Sequence, residues 1–217
     1  MTNIGIRLSV DGFAHLPRHD PEQSTIEVAN SIGYPLKPRD GPLVQRLTPK
    51  AEAPPNTYSG NFGLNAFPFH TDLAHWRSPP RYLLLRCLNG YKDVPTLLID
   101  GIALASAIGL NLLGRAIVKG RRPQNGAVPL LRLYDQVDGC ARLRWDEIFL
   151  KPAGRAGQDA CDRMRQAIAD GPHLPIALHE PGDTLIIDNW RMLHARSPVA
   201  AGREDRVLER VYLEELT

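Results

Sequence analysis

The chain has 217 residues, 43% of them hydrophobic, with 26 Lys and Arg against 24 Asp and Glu. It is long enough for one domain with a sizeable core, and its near-neutral balance gives no reason to expect a nucleic-acid or anionic-membrane partner. The three cysteines, Cys87, Cys140 and Cys161, are odd in number and outside any C-x-x-C pattern, which argues against a disulfide scaffold.

Met1 to Val10 lacks a leader pattern and no apolar run approaches a bilayer span, so the expectation is a soluble, cytoplasmic protein with no membrane contact. His15 to Pro55 is rich in Pro and charge, with one short helix predicted around Ser24 to Ile32 that Gly33 and Pro35 would stop. It reads as an outer N-terminal layer (1–58) over a core formed by 59–217 of a single catalytic domain. From Phe67 onward, short apolar and β-branched runs predict strands over Arg81 to Leu88, Thr96 to Asp100, Ala127 to Tyr134 and Ala141 to Trp145. Ile176 to His179, Thr184 to Asp188 and Val207 to Leu213 follow the same pattern. Helical spacing appears in Ile102 to Val118 and in Gly157 to Ala169. The predicted class is mainly β, an antiparallel sandwich with flanking helices.

Phe69-His70-Thr71-Asp72 places an imidazole two residues before a carboxylate, and on an extended segment both point to the same face and can converge on one ion. His194, in Asp188-Asn189-Trp190-Arg191-Met192-Leu193-His194, is the third candidate ligand. Two imidazoles and one carboxylate form a facial set that leaves positions open on a non-haem iron(II). Zinc suits the same three side chains. A lone H-x-D also arises by chance, and His75 is a competing ligand that a strand would turn away from His70 and Asp72. Downstream, Arg206 and Arg210 lie four apart in a strand-like segment, which puts both on one face and Val207, Glu209 and Val211 on the other. Either that face is solvated, or it is internal and each guanidinium meets an anion.

Several blocks resemble the TauD/TfdA branch of the iron(II)/2-oxoglutarate dioxygenases, which includes clavaminate synthase. They are Phe67-Pro68-Phe69-His70-Thr71-Asp72, Pro79-Pro80-Arg81 through Cys87, Pro95-Thr96 through Gly101, Gly182-Asp183 through Arg196, and Arg206-Val207-Leu208. They span roughly residues 59 to 214, and their order is more specific than any one of them. The resemblance implies a double-stranded β-helix, or jelly roll, with iron(II) held by His70, Asp72 and His194 as the catalytic centre. It makes Arg206, assisted by Thr96, the partner of the distal carboxylate of the co-substrate 2-oxoglutarate, with Arg210 holding an anionic group of the substrate. Dioxygen is the oxidant, and the outcome is hydroxylation of an unactivated C–H bond in a small anionic molecule such as an amino acid or related carboxylate or sulfonate. Asp72 fills the position where related halogenases have a small residue.

Asn65, Phe69 and Trp76, close in sequence to the H-x-D segment, are candidates for substrate contact, and Asn61 and Phe67 stand beside them. Core packing explains the two phenylalanines equally well. Trp190, Arg191 and Arg196 either shape the site or pack around it. The chain is short for this family, which implies trimmed insertions ahead of the distal histidine, and so a more open pocket or cover from a second copy in a homo-oligomer. Two other readings use the same histidines. A non-redox cupin-like metal module gives no reason for the spacing of Thr96, Arg206 and Arg210. A zinc hydrolase needs a general base, for which Glu209 is the candidate, predicted to face away.

Overall fold

The computed structural model describes residues 2–39, 41–55, 57–123 and 126–217. In chain order, α1 (Asn3–Asp11), β1 (Phe13–Leu16), α2 (Thr25–Ile32), β2 (Gly33–Leu36) and β3 (Gln45–Leu47) precede α3 (Tyr58–Phe62) and β4 (Phe67–His70). Then come β5 (Tyr82–Asn89), β6 (Thr96–Asp100), α4 (Gly101–Ile108), α5 (Leu110–Arg115) and β7 (Ile117–Gly120). β8 (Leu130–Arg132), β9 (Tyr134–Val137), β10 (Cys140–Leu143), β11 (Leu150–Pro152), α6 (Arg155–Asp170) and β12 (Leu174–Ile176) lead to β13 (Thr184–Asp188), β14 (Met192–Arg196) and β15 (Val207–Leu216).

Two antiparallel sheets face each other. The larger runs β1-β13-β5-β15-β2, with β3 also pairing β15, and the smaller runs β12-β6-β14-β4. Alternation along the strands sorts side chains into layers. Leu83, Leu85 and Cys87 of β5, Leu185 and Ile187 of β13, and Leu208 and Tyr212 of β15 pack inward against Leu98 and Met192 of the smaller sheet. The intervening Leu84, Ile186, Val211 and Leu213 point outward, where Leu8 of α1 and Val28, Ala29 and Ile32 of α2 cover them. The outer face of the smaller sheet, Ile99 and Leu193, packs on Ala105, Leu113, Ala160 and Met164 from α4, α5 and α6. This is the jelly roll with flanking helices that the sequence blocks implied.

Strands β6 and β13 have the expected boundaries. Helix α2 starts at Ser24, which forms a capping box with Glu27. The expected helix over 102–118 is instead two helices and a strand. Gly109, at φ 114° and ψ 110°, breaks the helical path, and the β-branched Ile117 and Val118 go into β7. The expected strand over 127–134 is split between β8 and β9. The N-terminal segment differs from the outer layer expected for 1–58: β1, β2 and β3 join the larger sheet, and only α1 and α2 lie over it. Among the described residues, no helix is long and apolar enough to cross a membrane.

Candidate metal centre

His70 ends β4 and His194 lies in the middle of β14, where the two are direct cross-strand partners. Asp72 follows two residues after His70, and one ligand atom from each of the three lies within 4.8 Å of the others. His70 Nε2 is 3.4 Å and His194 Nε2 is 3.6 Å from Asp72 Oδ1. Two ligands at right angles, each about 2.1 Å from a metal, stand about 3 Å apart, so small side-chain shifts close these atoms onto one ion. All three are buried.

Orientation is fixed around His70 and Asp72, while His194 Nδ1 is buried without a hydrogen-bond partner among the described residues. His70 Nδ1 is 2.9 Å from the carbonyl oxygen of Pro68. A carbonyl can only accept, so Nδ1 carries a proton and Nε2 is the nitrogen that faces Asp72, able to donate to it when protonated and to bind an ion once deprotonated. Asp72 Oδ2 accepts from Arg210 Nη1 at 2.8 Å and from the Tyr212 hydroxyl at 3.1 Å, which leaves Oδ1 as the free ligand atom. The backbone of Asp72 is held too. Its N–H donates to Asn189 Oδ1 at 2.7 Å, while Asn189 Nδ2 donates to the Asp72 carbonyl at 3.0 Å and to the Pro80 carbonyl at 2.9 Å. Thr71 is tied to Trp145 on its other side, and Leu73 sits at φ 54°. That left-handed conformation in a non-glycine residue turns the chain away directly after the ligand.

Burial by itself would raise the Asp72 carboxyl. The charge of Arg210 and hydrogen bonds from both histidines outweigh it and hold the group well below the usual carboxylate range. Burial also disfavours a charged His70, but its hydrogen bond to Asp72 and that carboxylate's charge shift the ring upward. His194 goes the other way, lowered by burial and by the proximity of His70, and it is the more ready neutral ligand. Tyr58 stacks on the His70 ring with centroids 4.3 Å apart.

The three ligands open onto a cavity of about 390 Å³. Thr96, Arg206, Arg210, Arg196 and Phe67 line it. Arg206 is 4% exposed, its Nε is buried without a hydrogen-bond partner, and burial lowers its pKa. Among the described residues it is in no ion pair. An unpaired buried guanidinium is costly unless an anion meets it, and this one faces the same cavity as the three candidate ligands. Arg196 donates to the Gly63 and Asn65 carbonyls, both at 2.7 Å, and lies over the Phe67 ring at 3.6 Å. Burial, and then the Arg206 charge, push it down to about 10.

Other expectations are redistributed. Arg210 shares the cavity but is already engaged, by Asp72 and by Gln45 Oε1. Phe69 points away, into the core beneath the helices, although Phe67 lines the cavity. Alternation from His70 turns Phe69 away, and it is Phe67 that a bulge brings back: His194 pairs with His70 but Arg196 with Phe67, so Pro68 and Phe69 of β4 oppose Ala195 of β14 alone and the alternation is broken. Trp76 lies in the turn after Asp72, where its carbonyl accepts from buried Arg144, and it is not part of the cavity wall. Asn65 contributes only its carbonyl, to Arg196, and Asn61 donates to the Thr57 carbonyl within α3. Trp190 donates to the Pro79 carbonyl and Arg191 pairs with Asp100 at 2.7 Å, so both pack around the site. Glu209 faces outward and accepts from Thr25, as its place in the strand predicted. The cavity's cover comes from 46–50, 53–54 and 57–59, ahead of the H-x-D segment.

Sequence reasoning passed over Asn189, Tyr212 and Gln45. Gln45 and Asn189 carry no local motif, and their partners lie 165 and 117 residues away. Tyr212 was legible in principle, because it continues the inward face of Arg206 and Arg210 at a spacing of two.

Comparison with known proteins agrees with this geometry. Residues 118–212 match the family described as Taurine catabolism dioxygenase TauD, TfdA family, which bears out the resemblance read from the sequence blocks. That segment contains His194, Arg206 and Arg210, and the fold supplies His70, Asp72 and Thr96 from outside it. Clavaminate synthase 2 of Streptomyces clavuligerus is 29% identical over 161 residues, covering 67% of this chain and 49% of that protein. The chain thus spans about half the length of this curated relative. An asparagine oxygenase in complex with Fe(II), hydroxyasparagine and succinate superposes with a TM-score of 0.74 at 17% identity, covering 98% of this chain and 78% of that one. The non-heme iron oxygenase OrfP in complex with Fe and alpha-ketoglutaric acid gives 0.67 at 20% identity, with coverage of 96% and 77%. PvcB of Pseudomonas aeruginosa gives 0.68 at 19% identity, with the same coverage. The fold is shared with these proteins.

Proposed function

We propose that this chain is a non-haem iron(II), 2-oxoglutarate-dependent dioxygenase that hydroxylates an unactivated C–H bond of a small anionic molecule, such as an amino acid or a related carboxylate or sulfonate. The observation that carries the reading is Arg206: a buried guanidinium without an anionic partner, facing the same cavity as two histidines and one carboxylate. A bare metal-binding module has no use for it, and an outward-facing Glu209 leaves a zinc hydrolase without its candidate base.

His70, Asp72 and His194 fit an iron(II) ion, because they offer two neutral nitrogens and one oxygen on one side and leave the cavity side open. When bound there, iron(II) supplies the activation of dioxygen, coupled to oxidative decarboxylation of 2-oxoglutarate. The overall exchange consumes 2-oxoglutarate, dioxygen and a C–H bond and yields succinate, carbon dioxide and an alcohol. Arg206 receives the distal carboxylate as a bidentate fork, with Thr96 on the same wall. Arg210 and Tyr212 hold Asp72 Oδ2, so the carboxylate presents a single oxygen to the ion. Apolar Leu83, Leu85 and Leu208 and the ring of Phe67 line the remaining wall and keep water away. A cavity of about 390 Å³ lies at the small end of small-molecule sites, and it must take both co-substrate and substrate, so both are small.

The test is succinate formation from 2-oxoglutarate in air, with and without iron(II), across a panel of amino acids and small acids. Formation that needs iron(II), rises with one member of the panel and is lost in Arg206→Ala supports the reading. Stoichiometric metal binding with no succinate from any member refutes it in favour of the non-redox module.

A further inference from the structure

The cavity wall is electrostatically one-sided. Arg46, Lys50, Arg196, Arg206 and Arg210 line it, and among the described residues Asp72 is the only carboxylate that does. Asp72 is already committed, with one oxygen toward the histidines and the other on Arg210. Arg206 is buried and Arg196 half-buried, while Arg46 and Lys50 are exposed on the segment that forms the outer wall. Among the described residues neither Arg46 nor Lys50 makes an ion pair.

This inference rests on the proposed iron and 2-oxoglutarate chemistry, in which the two charges of the ion and of the co-substrate dianion cancel. With Arg206 given to the co-substrate and Arg210 to Asp72, Arg46, Lys50 and Arg196 are the cations that remain around the space left for substrate, with no free carboxylate among the described residues of the wall. A ligand's ammonium or guanidinium would find no anion on this wall and several like charges instead. Such juxtaposition works as a filter against a wrong partner rather than as a loss spread over all partners. An anionic group, by contrast, is drawn in by the rim and is met inside by Arg196, which spends only Nη2 on the Gly63 and Asn65 carbonyls.

We propose that the primary substrate carries two anionic groups and no cationic one, with the group remote from the reacting carbon held by Arg46 and Lys50. The selected class is a small dicarboxylate, sulfocarboxylate or phosphocarboxylate, as distinct from a free amino acid with its ammonium intact.

The experiment uses the full chain loaded with nickel(II), which does not turn over, and calorimetry. The first titration is 2-oxoglutarate alone. The saturated protein is then titrated with three probes of equal chain length: β-sulfopropanoate, a dianion; homotaurine, a zwitterion; and diaminopropane, a dication. The dianion is expected to bind about tenfold tighter than the zwitterion, from two rim charges each worth a few-fold, and the dication not at all. In Arg46→Ser/Lys50→Ser that advantage should fall to about threefold or less, with 2-oxoglutarate affinity unchanged. A zwitterion that binds as well as the dianion, a dianion that does not bind, or a double variant with the full preference would overturn the assignment. Failure of 2-oxoglutarate itself to bind would instead overturn the proposed dioxygenase function, so the two failures are separable.

Discussion

Replacing Asn189 by alanine tests whether the two halves of the candidate centre are held as one unit. The Asn189 side chain is fully buried and makes three hydrogen bonds, two to the Asp72 backbone and one to the Pro80 carbonyl, at 2.7 to 3.0 Å. Asn189→Ala leaves one N–H and two carbonyls without partners in a dry interior. Each such group costs about 1–3 kcal/mol, and one water admitted to the vacated space recovers part of that. The expected loss is about 3 kcal/mol of unfolding free energy, read from urea melts with an unchanged slope. The same change frees the Asp72 backbone from Asn189, which lies five residues before His194 in the sequence. Anaerobic titration should therefore show metal affinity reduced by about 10-fold to 100-fold, the range for losing an outer partner of a metal ligand. A variant that loses the stability but binds metal as before would show that Asn189 only stitches the fold. One that loses less than about 1 kcal/mol would refute the bonding argument itself.

Three further outcomes follow from the same geometry. Arg206→Met removes an unpaired buried cation, so the ligand-free protein should melt at a higher temperature than the wild type while losing the thermal shift given by metal plus 2-oxoglutarate; a lower melting point in the variant would mean the guanidinium has a partner. Because His70 is shifted upward and His194 downward, a single proton should compete with the metal as pH falls through the neutral range. Affinity should then drop by about one decade per pH unit, and a two-decade slope would contradict the opposed shifts. Phe69→Ala should destabilise the fold by about 3 kcal/mol and leave 2-oxoglutarate affinity unchanged, whereas Phe67→Ala should weaken ligand binding; the reverse pattern would contradict the bulge in β4.

Much of the architecture is written in local sequence. β13 is legible because Thr184 to Asp188 is a short buried run started by the Gly182-Asp183 turn, where Gly182 takes φ 90° against Pro21. The three candidate ligands are legible because H-x-D on extended chain and a histidine after a strand have few other uses in combination. The period-two rule is what failed at Phe67: an added residue in one strand leaves no mark in composition, yet it turns every residue before it to the other face. The single helix expected over 102–118 is broken for a related reason, since periodicity cannot see that Gly109 departs from helical angles between α4 and α5. The charge commitments were the least legible. Arg210 looks free in sequence, and only the fold reveals that Asp72, 138 residues away, is its partner.

The central claim is that the metal ligands and Arg206 serve one bound co-substrate. The most direct test is the visible absorption of the anaerobic protein with iron(II) and 2-oxoglutarate, compared with Asp72→Ala and Arg206→Met. A weak charge-transfer band in the wild type, absent in Asp72→Ala and requiring much higher 2-oxoglutarate in Arg206→Met, is the expected result. Bound iron with no band at any 2-oxoglutarate concentration, or a band indifferent to Arg206, would contradict it.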